Sequence, residues 1–205
     1  MKKLLYQGHG SYRIETNSGK IIYVDPFIKN GCDKEADIIL ITHSHFDHTQ
    51  TQLLKKSKNC VTITYNDALK NGVYKNFKIE DVEITAVSAY NKNHPVNECV
   101  GYVIESDGIK IYASGDTSKT SDMKEKLSKM EITYALLPCD GVYNMDIDEC
   151  SKCARIINAK HTIPIHTSPV HSENDALNPP YDLKKAMSLD SDSKLIVKPG
   201  EEIEL

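Results

Sequence analysis

No stretch of this 205-residue chain is apolar for long enough to span a membrane, and no basic stripe stands out. Its 25 Lys and Arg against 29 Asp and Glu leave a net charge of −4, which gives no support to a nucleic-acid partner. The opening Met1-Lys2-Lys3-Leu4-Leu5-Tyr6 starts like a signal peptide, but Gln7, Gly8, His9 and Arg13 interrupt it before an apolar core forms. A cytoplasmic protein with a small-molecule substrate, and with neither nucleic acid nor membrane as partner, is expected; nothing speaks to its oligomeric state. No linker or low-complexity tract divides the chain, so residues 1–205 are read as a single domain able to bury a substantial core.

A disulfide framework is also missing. The six cysteines, at 32, 60, 99, 139, 150 and 153, are scattered and read as reduced thiols, several packed as small apolar residues. Cys150 and Cys153 form a CxxC with no second such pair. They fall on the apolar stripe of a helix expected from Ile147 to Ala159, and core packing is favoured there over metal or redox chemistry.

What is present is an alternation of strands and helices. Leu4–Tyr6, Ser11–Glu15 and Ile21–Val24 read as strands, the last two joined through the turn Asn17-Ser18-Gly19-Lys20. Asp25-Pro26-Phe27 closes the third. Thr49 to Lys56 is expected as a helix capped by Thr49, and Cys60–Thr64 as a strand. A short helix capped by Asn66 and ending at Asn71-Gly72 follows. Val82–Val87 is read as a strand, and Cys99–Glu105 with Ile109–Ala113 as a hairpin. A helix is expected over Ser121–Lys129, then strands at Tyr134–Leu137, His161–Ile165 and Leu195–Lys198. A last helix is expected from Pro179-Pro180 through Met187.

One stretch organises the rest. The β-branched run Ile38-Ile39-Leu40-Ile41-Thr42 reads as a buried strand, and His43, His45, Asp47 and His48 follow on the loop at its end. Three of the eight histidines fall in these six residues. Imidazole suits zinc, iron and other first-row metals, and a carboxylate adds a hard oxygen donor. Other apolar strands end in comparable residues: Ile109–Ala113 in Ser114-Gly115-Asp116-Thr117, His161–Ile165 in His166, and Val82–Val87 near Asn91 and His94. Adjacent strands stand only about 5 Å apart, so donors at their ends can converge. His9, between two glycines, and His171, on the loop after His166, are candidates for substrate contact or a supporting role.

The H-x-H-x-D-H pattern, with Asp116 and His166 downstream in order, resembles the metallo-β-lactamase superfamily, in particular its small stand-alone metal-dependent hydrolases and the proteins similar to ascorbate-phosphate lactonases. The resemblance spans nearly the whole chain. It implies an α+β fold, an αββα sandwich with two mixed sheets face to face and metals at one edge between them. It also implies that the Asp25-Pro26-Phe27 turn lies under the metal loop. Residue by residue, it places His43 and His45 on a first metal, Asp47 and His48 on a second, Asp116 bridging the two and His166 completing the second site. The family's third first-site histidine is missing from its usual place after Ala89. His94, an amide oxygen from Asn91, or water remain open as the third donor there. The cofactors implied are two divalent ions, zinc foremost, with manganese or iron as alternatives.

The function implied is hydrolysis of an ester, lactone, amide or phosphodiester by metal-activated water, with Asp47 orienting the water or moving its proton. A non-hydrolytic metal-binding protein, or a di-iron redox or sensor module on the same fold, is the alternative.

Overall fold

Alternating side chains at the start of the chain fold as an antiparallel meander. In the computed structural model, which describes residues 1–205, β1 (Lys3–Gly8), β2 (Ser11–Glu15) and β3 (Ile21–Val24) pair with Leu4 opposite Ile14 and Ile14 opposite Ile22. The run at Ile38 forms β4 (Ala36–Leu40), parallel to β3, and β5 (Lys56–Ile63) adds parallel to β4 at the edge. A short α1 (Tyr65–Ala68) and the small hairpin β6 (Leu69–Lys70) and β7 (Val73–Tyr74) lead to the second sheet.

That sheet contains β8 (Asn76–Ile79), β9 (Val82–Ser88), β10 (Val100–Ser106) and β11 (Ile109–Ala113), antiparallel in succession. After α2 (Ser121–Glu125), β12 (Tyr134–Pro138) adds parallel to β11. After α3 (Ile147–Ile157), β13 (His161–Ile165) adds parallel to β12. Then α4 (Leu183–Met187) precedes β14 (Glu202–Glu204), which returns to the first sheet beside β1. The strand orders are β14-β1-β2-β3-β4-β5 and β13-β12-β11-β10-β9-β8, two six-stranded mixed sheets.

The period-two pattern explains how they pack. Leu4, Tyr6, Ile14, Ile22, Val24, Ile38 and Leu40 share one buried cluster with Ile84, Tyr102, Ile104, Ile111, Leu136 and Ile163 from the other sheet. Each such aliphatic side chain contributes about 1.5–3 kcal/mol on burial, so the two faces cannot separate without exposing both. The other face of the second sheet (Val103, Tyr112, Ala135, Leu137) meets Met123 of α2 and Cys150, Cys153 and Ala154 of α3. Both cysteines of the CxxC are fully buried there.

On the outer face of the first sheet, Ile21, Tyr23, Ala36, Ile39 and Ile41 pack with Leu54 in a small cluster. The helix expected over Thr49–Lys56 is two single 3₁₀ turns, Phe46–His48 and Thr51–Leu53, and Lys56 already belongs to β5. Eight residues, two of them β-branched threonines, cannot sustain a helix alone, and Gln50 N–H is drawn off to the Pro26 carbonyl. The cap of α1 is Thr64 rather than Asn66, in a reciprocal arrangement with Asp67.

The last helix starts at Leu183, capped by Asp182, rather than at Pro179-Pro180. Leu195–Lys198 is not a strand: only Ser193 and Leu195 touch the edge of β13, through Thr162, before Pro199 ends pairing. No helix is long and apolar enough to cross a membrane.

Candidate metal centre

The strands carrying the predicted donors end at the same rim. β4 delivers Thr42 and the 43–48 loop, β9 leads to His94, β11 to Asp116, β12 to Asp140 and β13 to His166. His9 joins them from the turn between β1 and β2, where the backbone N–H of His166 donates to its carbonyl at 3.1 Å. Three of the eight non-glycine residues with positive φ are here: His9 at 53°, Asp25 at 46° and His166 at 46°. Left-handed backbone is costly for such residues, and its concentration at one rim marks a site held in shape by its surroundings.

Four imidazoles share one arrangement. His48 Nδ1 lies 2.9 Å from Asp25 Oδ2, His43 Nδ1 2.9 Å from Thr42 Oγ1, and His94 Nδ1 2.9 Å from Asn91 Oδ1. His166 Nδ1 touches Asp140 Oδ2 at 3.1 Å, though off the axis of the ring N–H. Each outer nitrogen thus faces an oxygen, which assigns the proton to Nδ1 and turns the Nε2 lone pair inward. On the inner side, Nε2 of His48, His94 and His166 lie 3.5, 3.3 and 3.5 Å from the oxygens of Asp116.

The ligating atoms of His43, His45 and His94 lie within 4.8 Å of one another, as do those of His9, Asp47, His48 and His166. Nε2 of His43, His48 and His94 are buried without a hydrogen-bond partner. A buried acceptor left unpaired costs about 1–3 kcal/mol, and several converging on one carboxylate fit a cation.

The charges agree. Burial would raise the pKa of Asp116, but His166 and His48 beside it hold it well below the usual carboxylate range. Burial would lower that of His48, but Asp116 and Asp25 push it up to about 10. Burial, with His48 nearby, holds His43 well below the usual imidazole range. Burial and the neighbouring His166 bring His9 down to about 4. Carboxylates packed this closely draw positive charge to the site, and protons on His48 and His166 supply it wherever a metal does not.

Asp25 ties the loop down from beneath. It accepts from Thr42 N–H at 2.8 Å and from Thr42 Oγ1 at 2.6 Å, as well as facing His48. Two glycines permit the close packing. A Cβ on Gly10 would come within 2.6 Å of the His48 ring, and one on Gly115, at φ 62°, within 2.8 Å of Thr42.

Of the sequence candidates, His43, His48, His94, Asp116 and His166 are buried and gathered here, and Asp47 and the exposed His45 stand at the edge. Asn91 directs its side-chain oxygen to His94 rather than into the cluster. His9 Nε2 holds Asp47 Oδ2 at 3.0 Å. His171 is exposed, does not line the cavity, and is fixed only through its backbone N–H to Asp175.

Asp140 was missed by sequence reasoning. It accepts backbone N–H groups from Val142, Tyr143 and Asn144, and despite burial its contact with His166 brings its pKa down to about 2. Its signal was available, because it follows an apolar strand as Asp116 does. A cavity of about 270 Å³ opens above the cluster. His45, Asp47, His94, Asp116 and His166 form its floor, and Phe46, Tyr143 and Val170 its walls.

Two facing mixed sheets with an imidazole and carboxylate cluster at one rim form a site that could hold metal ions. A model of the β-lactamase superfamily domain matches residues 3–166. A UPF0173 metal-dependent hydrolase of Ligilactobacillus salivarius is 33% identical over 185 residues, covering 80% of this chain and 84% of that protein. Among solved structures, the metallo hydrolase Igni18 of Ignicoccus hospitalis superposes with a TM-score of 0.74 at 22% identity, over 100% of this chain and 98% of that one. The metallo-β-lactamase fold protein YhfI of Bacillus subtilis gives 0.68 at 14%, over 99% and 98%. The chain belongs to the β-lactamase superfamily domain family and is a metal-dependent hydrolase with the expected αββα fold.

Proposed function

We propose that this enzyme hydrolyses an ester, lactone, amide or phosphodiester bond in a small molecule, using two divalent ions at the rim. The observation that carries this reading is the set of inward-facing Nε2 atoms around Asp116. His43, His45 and His94 would hold one ion, Asp47, His48 and His166 the other, and Asp116 would stand between them. An imidazole-rich donor set of this kind suits zinc, with iron or manganese as alternatives. Such an ion pair polarises a substrate oxygen and lowers the pKa of a shared water.

The chain's own residues supply the rest. Asp25, Thr42, Asn91 and Asp140 orient the imidazoles from behind, a contribution to metal affinity of the order of 10–100-fold per group. His9 Nε2 fixes one oxygen of Asp47, at 3.0 Å, and Asp47 lines the cavity. Burial would raise the Asp47 pKa, but His9 and His48 lower it, so it remains a carboxylate able to orient a water or take its proton. The experiment is to load the metal-free protein with zinc, manganese or iron and assay ester, lactone, amide and phosphodiester panels. Turnover that a chelator abolishes and Asp116→Asn removes supports the reading. Turnover that survives both, or none with any metal, contradicts it.

A further inference from the structure

The walls of the cavity carry information that the floor does not. At about 270 Å³ it falls just below the usual range for drug-sized ligands. Above the histidines and carboxylates, its lining is Phe46, Tyr143 and Val170, with no lysine or arginine. Phe46 and Tyr143 are each 43% exposed and stand together on the wall of one cavity, where a ligand can cover both rings.

Both are held from behind. The Phe46 ring packs edge-on against Phe27 at 5.9 Å, and the Tyr143 backbone donates to Asp140 at 2.6 Å. Val170 is anchored in a buried cluster with Phe27 and Ile28, against which Ala176 packs. Lys92 lines a separate pocket that shares Tyr143 as a wall, and Asp146 and Glu149 line it too. An anion there meets two carboxylates beside one ammonium.

We infer that the substrate is a small ester or lactone with no ionised group away from its scissile bond, and that its apolar substituent lies between Phe46, Tyr143 and Val170. A remote phosphate or carboxylate would be desolvated against these walls with no cation to pair it. An alkyl or aryl group gains by burying surface there. In the reaction, water adds to the acyl carbon, the bond from that carbon to the leaving oxygen breaks, and a water proton ends on that oxygen. An ester then yields a carboxylic acid and an alcohol, and no oxidant or reductant is required.

This inference rests on the hydrolase reading, and its test separates the two. The zinc-loaded enzyme is assayed with p-nitrophenyl acetate, butyrate and hemisuccinate. The butyrate is expected to exceed the acetate roughly tenfold in kcat/KM, from two added methylenes at several-fold each, and the hemisuccinate to fall at least about tenfold below the butyrate. Tyr143→Ala should shrink the butyrate-to-acetate ratio to a few-fold, and Tyr143→Arg should raise the hemisuccinate relative to the butyrate.

Calorimetric binding of acetohydroxamic against hexanohydroxamic acid supplies a readout without turnover, the longer acid binding at least about tenfold tighter. A flat acyl series, a preferred hemisuccinate, or hydroxamate affinity independent of chain length overturns the inference. Absence of hydrolysis across all three esters counts against the hydrolase reading, and the hydroxamate series then decides the inference alone.

Discussion

Asp25 Oδ2 lies 2.9 Å from His48 Nδ1, at the end of a strand in the first sheet, and the same oxygen takes the Thr42 hydroxyl. One buried carboxylate therefore sets the orientation of a metal-loop histidine and ties the strand that carries the loop. Asp25→Asn should leave a folded protein whose affinity for divalent metal at the His48 site is 10–100-fold weaker. Metal titration of the purified variant checks this, and an unchanged affinity would show that Asp25 only braces the turn.

Asn91 and His94 should separate cleanly. With its Nε2 in the cluster, His94→Ala is expected to reduce retained metal from about two to one per chain on dialysis against a weak chelator. Asn91→Ala removes only the oxygen facing His94 Nδ1, and should weaken that site about tenfold while metal can still be driven on. Equal loss from both variants would make Asn91 itself a donor.

Gly10 has no room for a methyl group. Its Cβ would sit 2.6 Å from the His48 ring, which cannot retreat because Asp25 holds the other edge. Gly10→Ala should fold with a melting temperature lowered by several degrees and lose affinity at the second metal. Gly19→Ala, where nothing lies within 4 Å, should leave metal binding intact. Comparing metal content of the two variants tests the contact.

The metal-free protein should be pH-sensitive in a definite direction. The pKa of His48 is raised in the fold from its ordinary 6.5 to about 10. Its contribution to stability is thus fully present below about 6.5 and lost as pH rises toward 10. Denaturation midpoints of the chelator-treated protein should fall between pH 7 and 10, and His48→Gln should flatten that fall. With metal restored, the ion replaces the proton on the ring, and the slope should also diminish. A wild-type profile matching that of His48→Gln would contradict the assignment.

Much of this architecture was legible because it rests on short-range signals. The Ile38–Thr42 run and the Ser106-Asp107-Gly108 turn specify strands by burial and turn chemistry; β4 starts and ends two residues ahead of that run, and the β10–β11 hairpin closes through that turn. The 49–56 segment misled because its helical reading depended on a cap, whereas its path is set by a hydrogen bond from Gln50 to Pro26, remote in sequence.

β14 was invisible for a related reason. Glu202-Ile203-Glu204 is a strand only because β1 offers it an edge, with Ile203 opposite Leu4. At the site, inward-facing donors follow apolar strands and could be read, as Asp140 also could, while the support that Asn91 gives His94 left no periodic trace. Phe46, Tyr143 and Val170 come from three distant segments, so only the fold brings them to one cavity.

The most direct test of the central claim is the metal content of the purified protein, measured alongside Asp116→Asn under the same dialysis. The account predicts close to two equivalents of divalent metal per chain, falling to one or fewer in the variant, with hydrolytic turnover lost in step. A wild-type protein that retains no metal after loading, or a variant that keeps both equivalents, would contradict it.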